Sequence, residues 1–119
     1  MIKGGVETVV GVVQDDLFGP AIMFGLGGVA VEVYKDVTFR VPPFDLDEAH
    51  RMIREIKAFP LLQGARGAPK ADLNALAKTI MKLQRLAMDL SNEIAELDIN
   101  PLVALPKGCV ALDALIVTR

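Results

Sequence analysis

Oxygen-bearing side chains alternate with apolar ones in the segment Glu96-Leu97-Asp98-Ile99-Asn100. Successive side chains of a β-strand point to opposite faces, so this pattern places Glu96, Asp98 and Asn100 on one face. Because burying three such groups without partners is costly, one interpretation is an exposed face of a sheet. The other interpretation is a site for a hard cation or for a proton of a phosphate, since both are bound by carboxylate and amide oxygens.

Asp113 favours the second interpretation, because it stands alone among apolar residues in the last predicted strand. If Pro106-Lys107 forms a two-residue turn, Asn100 and Asp113 lie directly opposite each other, with Cβ atoms about 5 Å apart on one face. A three-residue turn that includes Gly108 would shift the pairing by one residue and place the two side chains on opposite faces. The sequence leaves both registers open.

Short β-branched segments bounded by turn residues predict the strands that carry these side chains. The predicted strands cover residues 7–14, 21–24, 29–34, 37–44, 94–105 and 109–117. The cluster Gly25-Leu26-Gly27-Gly28 lies between two strands and not before a helix, which excludes a Rossmann or Walker phosphate-binding loop. A tight turn and a phosphate cradle both remain open for these glycines.

Two helices are predicted from their N-terminal caps and apolar periodicity. Asp45, with Glu48 three residues later, matches an Asp version of the capping box. Asp72 precedes apolar residues that recur at spacings of three and four up to Leu90. Residues 60–70 contain two prolines and two glycines and are predicted to form a loop. This order of elements predicts an α+β fold, a mostly antiparallel sheet with two helices on one face.

Length and composition restrict the class of protein. The 119 residues predict a single domain that spans 1–119. A net charge of −2 and 5% aromatic residues argue against a nucleic-acid partner, which needs a basic face and stacking side chains. No apolar run reaches the roughly 18–20 residues of a membrane span, and no signal peptide is recognised. We therefore expect a cytoplasmic location and no membrane partner.

Several motifs, taken together and in order, resemble the ADP-forming (NDP-forming) acetyl-CoA and acyl-CoA synthetases. The similarity is to the second half of their ATP-grasp domain, and succinyl-CoA synthetase β subunits resemble it more distantly. The motifs are Phe18-Gly19-Pro20, Met23-Phe24-Gly25-Leu26-Gly27-Gly28, Val31-Glu32-Val33, Phe39-Arg40 and Glu96-Leu97-Asp98-Ile99-Asn100-Pro101-Leu102.

The resemblance implies a set of site residues and two cofactors, Mg²⁺ and ATP or ADP. By motif, the implied residues are Asn100 and Asp113 as magnesium ligands, Asp98 as the acidic residue that faces a phosphohistidine, and Glu7, Gly27 and Gly28 as nucleotide-binding positions. The only histidine, His50, does not match the phosphohistidine of the family.

The implied activity is that of an acid-thiol ligase, which converts acyl-CoA, ADP and phosphate to a carboxylate, CoA and ATP through the phosphohistidine. The expected partners are the nucleotide, the other ATP-grasp half and the CoA-binding and ligase domains, in the same or another chain. We expect the isolated chain to be inactive. The alternatives are a non-catalytic stand-alone remnant or regulatory interaction module, or part of an acyltransferase-fused protein that binds acyl-CoA.

Overall fold

A computed structural model describes residues 5–27, 36–67 and 70–119 of the chain. Within these residues the strands are β1 (Val6–Asp15), β2 (Gly19–Leu26), β3 (Val37–Arg40), β4 (Ile94–Ala104), β5 (Cys109–Ala111) and β6 (Ala114–Thr118). The helices are α1 (Leu46–Arg54), α2 (Phe59–Leu62) and α3 (Leu73–Asp89), and Ala65–Gly67 forms a turn of 3-10 helix. None of the helices described is long and apolar enough to cross a membrane.

The strands form one sheet in which every pairing between described strands is antiparallel. Strand β1 lies in the middle, between β2 and β4, and β3 extends the sheet beyond β2. On the other side of the sheet, β5 and β6 pair with successive parts of β4. The predicted fold class, α+β with a mostly antiparallel sheet, is confirmed.

The helices pack against one face of the sheet. Alternate side chains of the central strands, such as Val10, Val12 and Leu97, are buried there together with Met52 of α1 and Ile80 of α3. Burial of this apolar surface is the main stabilising contribution to such a fold. The chemistry-bearing side chains of the same strands must therefore lie on the other face.

Both predicted helix caps are confirmed. The Asp45 carboxylate accepts the N–H of Glu48 at 2.9 Å, and the Asp72 carboxylate accepts the N–H of Ala75 at 3.0 Å. Each satisfies a donor that the first turn of a helix leaves without a partner. The Glu48 side chain does not return to the cap, as a capping box requires, but accepts a hydrogen bond from Arg40 at 2.7 Å and so connects β3 with α1.

Two predicted strands differ from the structure. The strand predicted over 37–44 is wrong in its second half, since β3 ends at Arg40 before two prolines that have no N–H to donate. The strand predicted over 109–117 is divided into β5 and β6 at Leu112 and Asp113. Pairing nevertheless continues across this break, because the N–H of Leu112 donates to the carbonyl of Pro101 at 3.0 Å.

The loop predicted over residues 60–70 is wrong in its first part. The short helix α2 begins at Phe59, and Pro60 occupies its first turn, where the missing N–H of proline is not needed. The strand predicted over 29–34 and the nucleotide-binding position Gly28 lie outside the described residues.

Candidate functional site

The hairpin of β4 and β5 determines how Asn100 and Asp113 are placed. Ala104 pairs with Cys109 at its closed end, and farther along the N–H of Asn100 donates to the carbonyl of Asp113 at 3.1 Å. This is the register of the two-residue turn at Pro106-Lys107. Directly opposite residues share a face of a sheet, so the structure confirms the register that brings Asn100 and Asp113 together.

Asp98 lies on the face of the sheet away from the helices, which we call the second face and which carries Glu7, Val9, Gly11 and Val13 of β1. Asp98 pairs directly with Gly11, and a Cβ atom at Gly11 would lie 3.7 Å from an Asp98 carboxylate oxygen. The same Cβ atom would lie 3.0 Å from the carbonyl oxygen of Leu97, so glycine at this position allows β1 and β4 to approach closely beside Asp98.

Acidic groups surround Asp98 on the second face. Burial raises the pKa of the Asp98 carboxyl above its ordinary value, and repulsion from Glu96 and Asp113 raises that pKa further. Glu96 lies two positions from Asp98 on the same strand, and Asp113 lies two positions from Leu115, the direct partner of Asp98. We call these three side chains the acidic cluster, with Asn100 opposite Asp113. A cation or a proton would relieve the repulsion within it.

A β-bulge lies where Asn100 meets β1. Asn100 and Pro101 together oppose the single residue Val9, while regular pairing continues on both sides. Beside the bulge, the fully buried hydroxyl of Thr8 donates to the carbonyl of Leu102 at 2.6 Å. The sequence patterns did not indicate the hydrogen bond of Thr8, because a β-branched residue is expected in a strand whether or not its hydroxyl has a partner.

Glu7 and Gly27 meet at the start of β1. The N–H of Gly27 donates to the carbonyl of Glu7 at 2.8 Å, and a Cβ atom on Gly27 would lie 2.9 Å from the carbonyl oxygen of Thr8. Only glycine allows this close approach. Glu7 and Gly11 are four positions apart, or roughly 13 Å along a strand, so the pair of Glu7 and Gly27 lies apart from Asp98.

The donor atoms at the acidic cluster suit a hard divalent cation. Asn100 supplies an amide oxygen and Asp113 a carboxylate oxygen, and Mg²⁺ typically takes one or two protein ligands and completes its octahedron with phosphates and water. In the described parts of the chain, no group of three or more His, Cys, Asp and Glu side chains is arranged to hold a metal ion. The pair therefore fits an ion that arrives with a phosphate group.

Comparisons with known proteins identify relatives of this chain. A family model described as the ATP-grasp domain matches residues 1–118. The β subunit of ADP-forming acetate–CoA ligase I from Pyrococcus furiosus is 51% identical over 114 residues, which cover 96% of this chain and 49% of that subunit. The ADP-forming 4-hydroxybutyrate–CoA ligase of Nitrosopumilus maritimus is 46% identical over 115 residues, which cover 95% of this chain and 16% of that enzyme.

A similar solved structure is the dinucleotide-forming acetyl-coenzyme A synthetase 1 of Ca. Korarchaeum cryptofilum in complex with coenzyme A and Mg-AMPPCP. It superposes with a TM-score of 0.92 and 45% sequence identity, over 97% of this chain and 54% of that one. The chain thus spans about half the length of the Pyrococcus subunit and of this solved chain.

Proposed function

The chain belongs to the ATP-grasp domain family, and we propose that residues 1–119 form the half of an ATP-grasp module that holds the metal and the nucleotide phosphates in an ADP-forming acyl-CoA synthetase. The reaction would convert acyl-CoA, ADP and phosphate to a carboxylate, CoA and ATP through a phosphohistidine. The remaining ATP-grasp half and the CoA-binding and ligase domains would come from the same or another chain.

One observation carries the proposal. Asn100 lies opposite Asp113 beside Asp98, in a chain that is 51% identical to a subunit of an ADP-forming acetate–CoA ligase. Mg-AMPPCP and coenzyme A bound to the Korarchaeum enzyme support Mg²⁺ and an adenine nucleotide as the ligands of this chain.

Asn100 and Asp113 would hold the Mg²⁺ ion that accompanies the nucleotide. When bound, such an ion neutralises charge that develops on the transferred phosphoryl group. One neutral and one charged oxygen from the chain leave the other coordination positions to phosphates and water. The opposed register of β4 and β6 supports this assignment, because it brings both donors to one face.

Asp98 would face the phosphohistidine, which another part of the enzyme must supply. Its carboxylate can accept the ring N–H and so set the orientation and the proton position of the imidazole. The raised pKa of Asp98, caused by burial and by neighbouring carboxylates, supports this role, because the group accepts a proton more readily than an exposed aspartate.

Glu7, Gly27 and Gly28 would contact the nucleotide away from the metal. The exposed side chain of Glu7 is available for a hydroxyl or amino group of the ligand. Gly27 would act through its lack of a side chain, since its N–H is already bonded to Glu7. For Gly28 the proposal rests on the sequence motif alone.

The test is an assay of ATP formation from acetyl-CoA, ADP and phosphate by the enzyme that combines this chain with the missing domains. Asn100→Ala should lower the rate and increase the Mg²⁺ concentration required. Asn92→Ala, which changes an exposed asparagine in the turn after α3, is the matched control and should have no effect. If the assembled protein neither forms ATP nor exchanges phosphate, the enzymatic proposal fails and a non-catalytic role takes its place.

A further inference from the structure

Asp72 uses its two carboxylate oxygens for two different elements. Oδ1 accepts the N–H of Ala75 and caps α3, while Oδ2 accepts the N–H of Gly108 in the turn between β4 and β5, at 2.8 Å. The backbone N–H of Asp72 also donates to the carbonyl of Leu105, again at 2.8 Å. Two of these hydrogen bonds hold the turn of the hairpin and only one serves the helix.

The turn that Asp72 contacts is the one that decides the register of the hairpin. The N–H of Leu105 donates to the carbonyl of Gly108 at 3.0 Å, which closes the two-residue turn, and Gly108 adopts a φ of 81° that favours glycine. A turn longer by one residue would shift the pairing and move every later side chain to the other face. Asp113 would then no longer face Asn100.

We propose that Asp72 is a positioning residue for the metal site, because its hold on the Gly108 N–H selects the two-residue turn and thereby places Asp113 opposite Asn100. The importance of this placement for a metal rests on the proposed function, whereas the hold on the register does not. The hydrogen bonds from Gly108 and Ala75 also lower the pKa of Asp72, so both oxygens act as acceptors at neutral pH.

The decisive variant keeps the helix cap and removes the second acceptor. In Asp72→Ser a serine hydroxyl can still cap α3, but it offers no second oxygen to Gly108. The matched control is Asp45→Ser, because Asp45 caps α1 with one oxygen, and none of its described hydrogen bonds reaches the hairpin. Both variants change an N-cap aspartate in the same way.

Two NMR readouts on the 119-residue chain separate positioning from capping. Amide hydrogen exchange at Asn100 and Leu105 reports how firmly the paired register is held, and we expect it to be about tenfold faster in Asp72→Ser, since a bond to an ionised acceptor is lost. Titration with Mn²⁺ alone reports the site through broadening of the Asn100 and Asp113 amides. The Asp72→Ser chain should need several times more Mn²⁺ for the same broadening, and Asp45→Ser should match the wild type in both readouts.

Each result is informative. If Asp72→Ser keeps the wild-type exchange rates and Mn²⁺ response, Asp72 is only a helix cap and the inference is wrong. If neither Mn²⁺ alone nor Mn²⁺ with AMPPCP broadens the wild-type Asn100 and Asp113 amides, the metal assignment fails, while the exchange rates still test the hold on the register. Should Asp72→Ser fail to fold, a through-bond scalar coupling between the Gly108 nitrogen and the Asp72 carboxyl carbon in the wild type decides, and its absence overturns the inference.

Discussion

Asp72 contacts the turn of the hairpin from the start of α3, and Asp98 lies on strand β4, but the two carboxylates have opposite electrostatic environments. Hydrogen bonds from Gly108 and Ala75 lower the pKa of Asp72, whereas burial and the nearby carboxylates raise the pKa of Asp98. At the closed end of the hairpin, backbone N–H donors thus stabilise the ionised carboxylate of Asp72. The acidic cluster instead holds its carboxylates against mutual repulsion, which a ligand can relieve.

The turn of the hairpin sets the strand register, whereas the acidic cluster carries the side chains proposed to bind a ligand. A register specified at the turn, some distance from the acidic cluster, lets the cluster carry unfavourable charge without changing the pairing. Perturbed carboxyl pKa values are often found at functional sites for the same reason. Substitutions at the closed end should therefore change stability first, and substitutions in the cluster should change function first.

The largest effect is expected for Asp113→Ala in the complete enzyme. The variant removes the one charged oxygen of the proposed metal pair, and loss of metal-assisted charge neutralisation should lower ATP formation by about 100-fold or more. Because Asp113 is exposed, the thermal midpoint of the chain should change little. An active Asp113→Ala enzyme with an unchanged Mg²⁺ requirement would show that the acidic cluster does not hold the metal.

Much of this contrast could be predicted from local patterns in the sequence. Asp45 and Asp72 were identified as caps, because each precedes a run with helical apolar spacing. The alternation from Glu96 to Asn100 predicted which face of β4 is polar. These signals depend only on residues a few positions apart, and the structure agrees with them.

Other features depend on contacts between distant residues, and the sequence could not decide them. The choice between the two turns involves the bond from Gly108 to Asp72, which are 36 residues apart. The bulge at Asn100 and Pro101 lies opposite β1. The hydrogen bond beside it joins Thr8 and Leu102, which are 94 residues apart. The roles of Asp98, Asn100 and Asp113 came from family resemblance and remain predictions.

Thr8→Val should produce the largest loss of stability among the substitutions near the bulge. The valine keeps the shape of Thr8 but leaves the buried carbonyl of Leu102 without its 2.6 Å hydrogen bond, which costs about 1–3 kcal/mol. Urea denaturation measures this loss. Thr79→Val is the control, because the Thr79 hydroxyl bonds to the Ala75 carbonyl within its own helix and to the Cys109 Sγ, a weak hydrogen-bond partner, at 3.3 Å. We expect a loss below about 0.5 kcal/mol. Equal losses would show that the bulge does not depend on Thr8.

A smaller effect is expected for the pH dependence of Asp72→Ser. The native state favours the ionised form of Asp72, since its folded-state pKa is lowered. Its contribution is therefore complete above the unfolded pKa of about 3.9 and is lost as the pH falls through the lower folded-state value. At pH 7 the wild type should melt about 3 °C above the variant, and the gap should shrink in acid. A gap that does not change down to pH 2 would mean that ionisation of Asp72 is irrelevant to the turn.

The smallest effect, and the one that tests the comparison most directly, is the response of stability to Asp98→Asn. Because the folded-state pKa of Asp98 is raised, the native state favours the protonated form, and stability falls as the pH rises through that value. An amide of the same shape cannot ionise, so at pH 7 the variant should melt about 1–2 °C above the wild type, and the gap should close below pH 3.9. Asp89→Asn, at an exposed position, should show no gap at either pH. In the complete enzyme the same Asp98→Asn change should slow phosphoryl exchange through the histidine while nucleotide binding is kept. A lower midpoint for Asp98→Asn at pH 7 would show that Asp98, like Asp72, is stabilised by its surroundings, and the two ends of the hairpin would then no longer differ.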